Sequence, residues 1–337
     1  IECNDPTEDL DLAGKLMGLQ AYGNYIEEFA KVLPSSILNT REIFDIQRWF
    51  KFLNSELIGS LRALDWIRTV HDHMGDVLVK FFEEVTDYNY DSIITYSGGV
   101  AQNVIWNTKL KNKFPNLIIP PHCNDEGLSL GSIEYLRRKY KLSKFELDNF
   151  PYNQSDHAPS DEADDDTIRR VVDLLKQGKV VAWYQGHGEI GPRALGHRSL
   201  LINPMIDNAK NLVNKVKRRE SYRPFGASIL KEYTQEYFNT SIDNPYMLYV
   251  GTTQKDNLSS ITHVDGTCRY QSVDKNNGVY YKLLKCFHEE TGCPLILNTS
   301  FNVNGKPIVG SDKDAVNFVK NSEVDAIVIG RRYGVKS

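Results

Sequence analysis

Long apolar runs are absent from the sequence, and so are paired cysteines. No apolar stretch approaches the roughly 20 residues that cross a bilayer, so we expect no membrane partner. The cysteines are odd in number, scattered and without a CxxC pair: Cys3, Cys123, Cys268, Cys286 and Cys293. This pattern favours reduced thiols, and because no secretory signal opens the chain we expect a cytoplasmic protein.

A strong charge imbalance and a basic tail are missing as well. The formal net charge is −4, so the composition gives no indication of a nucleic-acid partner. Of the 337 residues, 41% are hydrophobic and 25% are charged, which is ordinary for a globular chain long enough for two domains. The opening segment IECNDPTED begins at Ile1 and is typical of the interior of a longer protein, so we expect a portion upstream.

Against this near-neutral background the sequence contains a local excess of positive charge. Eight lysines and arginines but only two acids, Asp207 and Glu220, lie from Arg193 to Arg223. The cations fall in two motifs, GPRALGHRSLL and VKRRESYRPF, that also contain apolar residues and therefore indicate partial burial. Arginine forks beside glycines suit phosphate or another planar anion. The motifs predict an anion site, with a solvated basic face as the alternative.

The motif SGGVAQN in the first half has the layout of a phosphate-binding turn. A strand is predicted over residues 92–96 and a helix from about Asn103. Gly98 and Gly99 would let a phosphate approach backbone N–H groups at the start of the helix. Asn103 is placed for a ribose, a phosphate or the helix start itself. A glycine turn without a ligand is the common alternative.

A second loop, HCNDEG, follows a strand predicted over residues 117–120 and precedes a helix predicted over residues 127–140. Asp125 and Glu126 stand at the carboxyl end of that strand. Carboxylates in this position usually face a crevice in an α/β sheet. The alternative is that Asp125 caps the helix.

The second half begins after a polar, acidic stretch. Residues 151–166 predict an interdomain linker that ends at Thr167, the expected N-cap of a helix. KVVAWYQG predicts a buried strand, and a helix is expected over residues 205–218. Further strands are predicted over residues 247–252 and 295–297, so that Asn298 and Ser300 follow a strand directly. Small polar groups there are good anion ligands and also good turn formers.

Taken in order, these motifs resemble those of the O-carbamoyltransferases of the Nod-factor, cephem and nebramycin (tobramycin) type. The resemblance covers nearly the whole chain through GKLMGLQAYG, SGGVAQN, NDEG, GEIGPRALGHRSLL, VKRRESYRPF, NPYMLYV, HVDGTCRYQSV and NTSFNVNGKPIV. It implies an α/β protein in which residues 1–150 are the C-terminal portion of an acetate kinase/Hsp70/actin-like domain, similar to the tRNA threonylcarbamoyl transferase. Residues 151–166 are then the linker, and residues 167–337 a YrdC-like domain with an open twisted sheet.

The resemblance also implies a reaction. The YrdC-like domain would make carbamoyl adenylate from carbamoyl phosphate and ATP, with Mg²⁺ on the nucleotide. The first domain, through Gly98, Gly99 and Asn103, would hold the nucleotide while the carbamoyl group passes to a hydroxyl of a small molecule, in antibiotic or Nod-factor biosynthesis. Six residues match the carbamoyl phosphate and ATP site, the first three of them catalytic: Arg193, Lys217, Arg223, Arg198, Asn298 and Ser300.

Asp125 matches an aspartate that binds a divalent metal, often Fe²⁺, beside two histidines of an HxxxH motif. None of the eight histidines forms that motif, so we expect the metal site to be incomplete in this chain and its other ligands to lie upstream. Two alternatives stay open: a threonylcarbamoyl-adenylate enzyme that serves tRNA, and a non-catalytic nucleotide-binding module. The sequence leaves open which acceptor is used and whether the chain forms a homo-oligomer.

Overall fold

The computed structural model describes residues 12–37, 63–154 and 158–336. The chain divides into two compact units, Ile1–Thr95 with Ile105–Ile118, and Tyr96–Val104 with Ile119–Ser337. Within the described ranges, no helix combines the length and the apolar character needed to traverse a bilayer. The cysteines at 123, 268, 286 and 293 are free thiols, as predicted, and Cys3 lies outside the described residues.

The first unit is built on one long amphipathic helix. Among its described residues, its helices are α1 (Leu12–Leu19), α2 (Glu27–Ala30), α3 (Ala63–Val85) and α4 (Val104–Lys113), and its strands are β1 (Ile94–Thr95) and β2 (Leu117–Ile118). A 3₁₀ turn, Gln20–Tyr22, follows α1. The apolar positions of α3 recur at helical spacing, and Val77, Leu78 and Phe82 are buried. The parallel pair β1–β2 confirms two predicted strands, each shorter than expected.

The second unit contains an eight-stranded mixed sheet. Its strands are β3 (Val181–Tyr184), β4 (Arg198–Ile202), β5 (Gly226–Leu230), β6 (Val250–Thr252), β7 (Thr267–Val273), β8 (Leu295–Ser300), β9 (Ala326–Ile329) and β10 (Arg332–Val335). The spatial order is β10-β9-β3-β4-β8-β5-β7-β6. Only the pairs β3–β9 and β5–β7 in this sheet are parallel. Every residue of β3, β4 and β5 is buried, including the polar residues Arg198, Ser199 and Ser228.

The helices of the second unit, among its described residues, are α5 (Leu128–Lys139), α6 (Asp165–Lys176), α7 (Ala209–Lys217), α8 (Thr234–Phe238), α9 (Gly278–Thr291) and α10 (Asp312–Lys320). Helices α6 to α10 pack against the sheet, whereas α5 has no buried residue. Short 3₁₀ turns lie at Gly99–Gln102, Asp125–Gly127, Lys231–Tyr233, Asp256–Leu258 and Lys275–Asn277. Helices α6 and α9 pack against each other and against the sheet. The predicted α/β class with a large sheet is therefore confirmed.

Three predicted boundaries are wrong for identifiable reasons. Helix α6 begins at Asp165 because the Asp164 carboxylate, not Thr167, caps it by accepting from the Thr167 N–H at 2.9 Å. Helix α7 begins late because the Asn203 side chain accepts from the Met205 N–H at 3.0 Å, which favours a turn. Strand β6 begins at Val250 because Met247, at φ +57°, leaves the extended region.

Strand β8 is longer than predicted, and this changes the setting of two candidate residues. Asn298 and Ser300 lie inside β8 rather than after it. Their backbones pair with neighbouring strands, Asn298 with Gly226 and Ser300 with Ser199. A polar side chain can occupy a central strand when neighbouring groups satisfy its hydrogen bonds.

The register brings several motif residues to one end of the sheet. Gly226 at the start of β5 pairs with Arg269 near the start of β7, and also with Asn298 near the end of β8. Ser300 at the end of β8 pairs with Ser199 at the start of β4. Because β4, β5 and β7 run in one direction and β8 in the other, all of these residues face the same end.

Candidate anion-binding site

Lys217, the last residue of α7, is buried at this end of the sheet. It is 3% exposed, and its Nζ donates to the Ser300 carbonyl at 2.7 Å, to Ser300 Oγ at 3.0 Å and to Asn302 Oδ1. All three acceptors are neutral. Burial, and then the neighbouring Arg219 and Arg223, hold the pKa of Lys217 well below its usual range. An anion bound here would stabilise the charged form of this lysine.

The chain turns sharply after α7, so that some basic residues of VKRRESYRPF face solvent and others face the protein interior. Arg218 adopts a left-handed conformation, φ 50° and ψ 49°, and is exposed. Arg219 is held inward, with its guanidinium 3.9 Å from the Phe225 ring centroid and Nη2 donating to the Pro224 carbonyl at 3.0 Å. The motif thus contributes both solvated and inward-facing cations.

Arg223 is also turned inward. Its side chain is 18% exposed and lies 3.6 Å from the carboxylate of Glu220. Arg223 Nη1 also donates to Asn304 Oδ1 at 3.5 Å, a long contact. The sequence prediction that Lys217 and Arg223 share one region is consistent with this placement, because Arg223 is among the charges that depress the pKa of Lys217.

Arg269 on β7 was not among the candidate residues from sequence. Burial, and then Arg193 and Arg219, hold its pKa well below the usual range. Its Nε has no hydrogen-bond partner in the part of the chain that the structure describes. Gly226 leaves room for it, since a Cβ at Gly226 would come within 2.9 Å of the Arg269 carbonyl. The signal in the sequence was one arginine within TCRYQSV, a strand otherwise composed of neutral residues.

Arg193 completes the group. It is half-buried, and its Nη2 donates to the Gln102 carbonyl at 3.4 Å, while Nε has no partner among the described residues. Burial lowers the pKa of Arg193, and Arg223 lowers it further. We call these five residues the cationic cluster: Arg193, Lys217, Arg219, Arg223 and Arg269. Such a concentration of positive charge disfavours the empty site and favours a bound polyanion.

Two residues predicted to contact the substrate are engaged within the protein. Arg198 is 1% exposed, and its Nη1 and Nη2 donate to the carbonyls of Gln185 at 2.6 Å and Gly186 at 2.9 Å. Asn298 is fully buried, and its Nδ2 donates to the Ala194 carbonyl at 3.1 Å and to Ser228 Oγ at 2.9 Å. Their substrate contact stays a prediction, and these bonds favour a structural role for both.

The SGGVAQN loop has the predicted strand–turn–helix layout. Gly98 has a φ of +113°, and its N–H donates to the Cys123 carbonyl at 2.6 Å. A Cβ at Gly98 or Gly99 would meet nothing within 4 Å, so the space beside both glycines is open. Asn103 immediately precedes α4. Nucleotide binding by this loop stays a prediction.

Asp125 is exposed and is the first residue of a 3₁₀ turn. The alternative that it caps the helix is wrong, because the N-cap of the turn is Asn124 and that of α5 is Gly127. In the described ranges, no three His, Cys, Asp or Glu side chains converge on a metal position. One carboxylate is a poor transition-metal site, so the residues present do not fit the metal and no step is assigned to it.

Comparison with known proteins decides the family. Residues 4–133 match the family model for the carbamoyltransferase N-terminus, and residues 172–336 match that for the carbamoyltransferase C-terminus. The chain belongs to the carbamoyltransferase family. The family resemblance seen in its motifs is thereby confirmed.

Two curated members of this family align over almost the whole chain. Nodulation protein NolNO of Sinorhizobium fredii is 35% identical over 355 residues, covering 97% of this chain and 50% of that protein. The 3'-hydroxymethylcephem-O-carbamoyltransferase of Amycolatopsis lactamdurans is 29% identical over 340 residues, covering 95% of this chain and 64% of that protein. The chain thus spans about half to two thirds of the length of these relatives.

Solved structures give a weaker likeness. E. coli YciO has a TM-score of 0.38 at 16% identity, covering 55% of this chain and 86% of that one. Full-length HypF in its phosphate- and nucleotide-bound form has a TM-score of 0.36 at 21% identity, covering 49% of this chain and 25% of that one. Scores this low support no argument about function. The YrdC-like and actin-like domain assignments stay predictions.

Proposed function

We propose that this carbamoyltransferase is ATP-dependent and carbamoylates a hydroxyl group of a small molecule. The observation that carries the proposal is the cationic cluster, in which five cations are accompanied by one carboxylate, Glu220, among the described residues. Carbamoyl phosphate and the triphosphate of ATP are both polyanions. Bringing them together requires several fixed cations to offset their mutual repulsion.

The first step would form carbamoyl adenylate. Atom balance requires one water: the carbamoyl–phosphate linkage of carbamoyl phosphate is hydrolysed to carbamate and phosphate. A carbamate oxygen then attacks the α-phosphate of ATP, and pyrophosphate leaves. The negative charge that develops on both leaving groups is stabilised by fixed guanidinium and ammonium groups.

Within the cluster, Arg193 and Arg223 are suited to hold phosphate oxygens, since guanidinium forks bind them in pairs. Arg269 adds a third fork with an unpartnered Nε. Lys217, fixed by Ser300 and Asn302, provides a compact point charge beside them. Mg²⁺ on the nucleotide would carry part of the phosphate charge, as in other nucleotidyl reactions.

In the second step, the acceptor hydroxyl oxygen attacks the carbamoyl carbon and AMP leaves, while the hydroxyl proton is released. The open turn at Gly98 and Gly99, with Asn103 at the start of α4, is proposed to hold the adenylate phosphate through the Gly99 N–H, since the Gly98 N–H already donates to the Cys123 carbonyl. The name of the cephem relative contains a hydroxymethyl group, which supports a hydroxyl of a small natural product or sugar as the acceptor.

Pyrophosphate release by the full chain tests the proposal. With ATP and Mg²⁺, release should depend on carbamoyl phosphate, and Arg223→Ala should reduce it. If threonine with bicarbonate replaces carbamoyl phosphate and supports release, the enzyme is a threonylcarbamoyl-adenylate synthase instead. No pyrophosphate with either substrate pair would identify a non-catalytic nucleotide-binding module.

A further inference from the structure

A buried carboxylate anchors the coil that carries Arg193. Glu189 is 1% exposed, and its Oε1 accepts hydrogen bonds from the N–H groups of Leu195 at 2.7 Å, His197 at 2.8 Å and Arg198 at 3.1 Å. Bonds from backbone N–H groups to a carboxylate are charge-assisted and stronger than those between neutral groups. Glu189 therefore draws residues 195–198 together around one oxygen atom.

The carbonyl groups of the same coil are held by side chains from three strands. Asn298 of β8 donates to the Ala194 carbonyl at 3.1 Å, and Gln271 of β7 donates to the Leu195 carbonyl at 2.9 Å. Trp183 Nε1 of β3 donates to the Gly196 carbonyl at 2.8 Å. Three consecutive carbonyls are thus fixed by buried donors, which leaves the coil little freedom.

Two glycines allow this coil to pack closely. Gly191 and Gly196 have φ values of +107° and +103°, which side chains rarely adopt. A Cβ at Gly196 would lie 2.1 Å from the Tyr280 ring, and one at Gly191 would lie 2.2 Å from the Pro121 carbonyl. The backbone on both sides of Arg193 therefore has one well-defined position.

The side chain of Arg193 itself is weakly held. Its hydrogen bond from Nη2 to the Gln102 carbonyl is long at 3.4 Å, and Nε has no partner among the described residues. The place of its guanidinium is consequently set by the backbone of the coil rather than by side-chain contacts. The Arg193 guanidinium is therefore preorganised for anion binding only if the backbone of the coil is fixed before the anion arrives.

We propose that Glu189 is a positioning residue whose carboxylate fixes the coil so that Arg193 points into the cationic cluster before an anion binds. The inference rests on the proposed function, because it assumes that the anion bound by the cluster is a substrate or product. Glu189 does not touch that anion. It acts only through Arg193, and this dependence makes the two residues energetically coupled.

A double-mutant cycle on anion affinity tests the coupling. Inorganic pyrophosphate is titrated calorimetrically into the wild type, Arg193→Ala, Glu189→Gln and the double variant. Arg193→Ala should weaken binding at least about tenfold, the equivalent of one charge-assisted hydrogen bond. Glu189→Gln keeps the acceptor oxygen but removes the charge, and should weaken binding about three- to tenfold. The double variant should bind within about twofold of Arg193→Ala alone. If the fold losses in affinity of the two single variants instead multiply in the double variant, the proposal is wrong.

Thr291→Val serves as the matched control, at the last residue of α9, the helix that precedes β8. It removes a bond to the Phe287 carbonyl at 2.6 Å and one from the Cys293 N–H at 3.2 Å, before the start of β8, whereas the cluster lies at the end of that strand. It should lower the unfolding temperature without changing pyrophosphate affinity. If Glu189→Gln does the same, Glu189 has only a structural role and the proposal fails.

The same proteins separate this inference from the proposed function. A wild type that binds pyrophosphate and shows the coupling, yet releases none from ATP with carbamoyl phosphate, would refute the function and keep the positioning role. A wild type that turns over but shows multiplying effects would refute the positioning role alone. No pyrophosphate binding by the wild type would overturn the positioning role, because the cluster would then be no anion site.

Discussion

Two arginines at the same end of the sheet, Arg198 and Arg269, have opposite surroundings. The guanidinium of Arg198 donates to backbone carbonyls and lies 3.5 Å from the Tyr184 ring centroid. The guanidinium of Arg269 has other arginines as neighbours. The Nε atoms of both arginines lack a hydrogen-bond partner among the described residues, so the difference lies in the neighbouring charges and in the carbonyls that Arg198 binds. A buried cation among carbonyls stabilises the fold, whereas one among cations destabilises it until an anion binds.

Replacing each arginine by an uncharged residue tests the difference between Arg198 and Arg269 most directly. Arg198→Met leaves the carbonyls of Gln185 and Gly186 without their donor, so we expect it to lower the free energy of unfolding by about 3 kcal/mol or more. Arg269→Met removes a repelled charge and should leave the free energy of unfolding unchanged or higher. Urea denaturation without ligand measures both. Equal destabilisation by the two variants would contradict the distinction.

Lys217 and Lys215 allow a buried lysine of the cluster to be compared with an exposed lysine of the same helix. Lys217→Met removes a cation from the cluster, and we expect carbamoyl phosphate to bind at least about tenfold more weakly, equivalent to about 1.5–3 kcal/mol. Lys215 lies two residues earlier in α7 and is exposed, so Lys215→Met should change neither binding nor stability. Calorimetric titration distinguishes them. A similar loss in both variants would assign the effect to net charge instead of to the cluster.

A substitution at Gly226 tests whether the position of Arg269 depends on the close approach of β5 to β7. In Gly226→Ala the new Cβ would lie 2.9 Å from the Arg269 carbonyl and 3.0 Å from Met247 Sδ, so the strands must shift. We expect a loss of about 1 kcal/mol in the free energy of unfolding and a rise of a few-fold in KM for carbamoyl phosphate. A change in stability with no change in KM would show that Arg269 does not depend on this close approach.

The smallest expected effect is the uptake of a fraction of a proton by Lys217 when an anion binds. Because burial and two arginines hold the pKa of Lys217 below its ordinary value of 10.5, binding of an anion should raise that pKa and take up protons. Without ligand the unfolded chain binds more protons in this window, so stability should rise with pH between the lowered pKa and 10.5.

Sulfate is the suitable probe for this proton uptake, since it does not titrate at these pH values. Calorimetry in two buffers of different ionisation enthalpy should show uptake of less than one proton, and sulfate affinity should fall as pH rises. Lys217→Met should abolish the uptake. Equal uptake by the variant would place the titrating group elsewhere.

The sequence predicted most of the cationic cluster because the motifs GPRALGHRSLL and VKRRESYRPF concentrate cations near glycines. Residue type alone could not separate Lys217 from Arg218, since that depends on the left-handed turn after α7; only the family resemblance singled out Lys217. It missed Arg269 because only strand pairing brings β7 beside β5 and so to the site. The sequence could predict which cations are neighbours along the chain, but it could not predict contacts that depend on the register of the sheet.

The roles of Arg198 and Asn298 show the same limit. Both lie in motifs that resemble a binding site, and both side chains donate to backbone groups of the surrounding coils. Residue type and spacing indicate that such a group is polar and constrained. They do not show whether it contacts a ligand or a carbonyl, because that depends on where distant segments lie. Glu189 was overlooked for this reason, since its three donors follow in the chain but converge only through the turn.

The most direct test of the account is titration of carbamoyl phosphate into the wild type and into Arg269→Met, with unfolding measured on the same samples. We predict saturable one-to-one binding by the wild type, loss of at least about tenfold in affinity in the variant, and no loss of stability. Equal affinity in the two proteins would contradict the assignment of the cationic cluster as the substrate site.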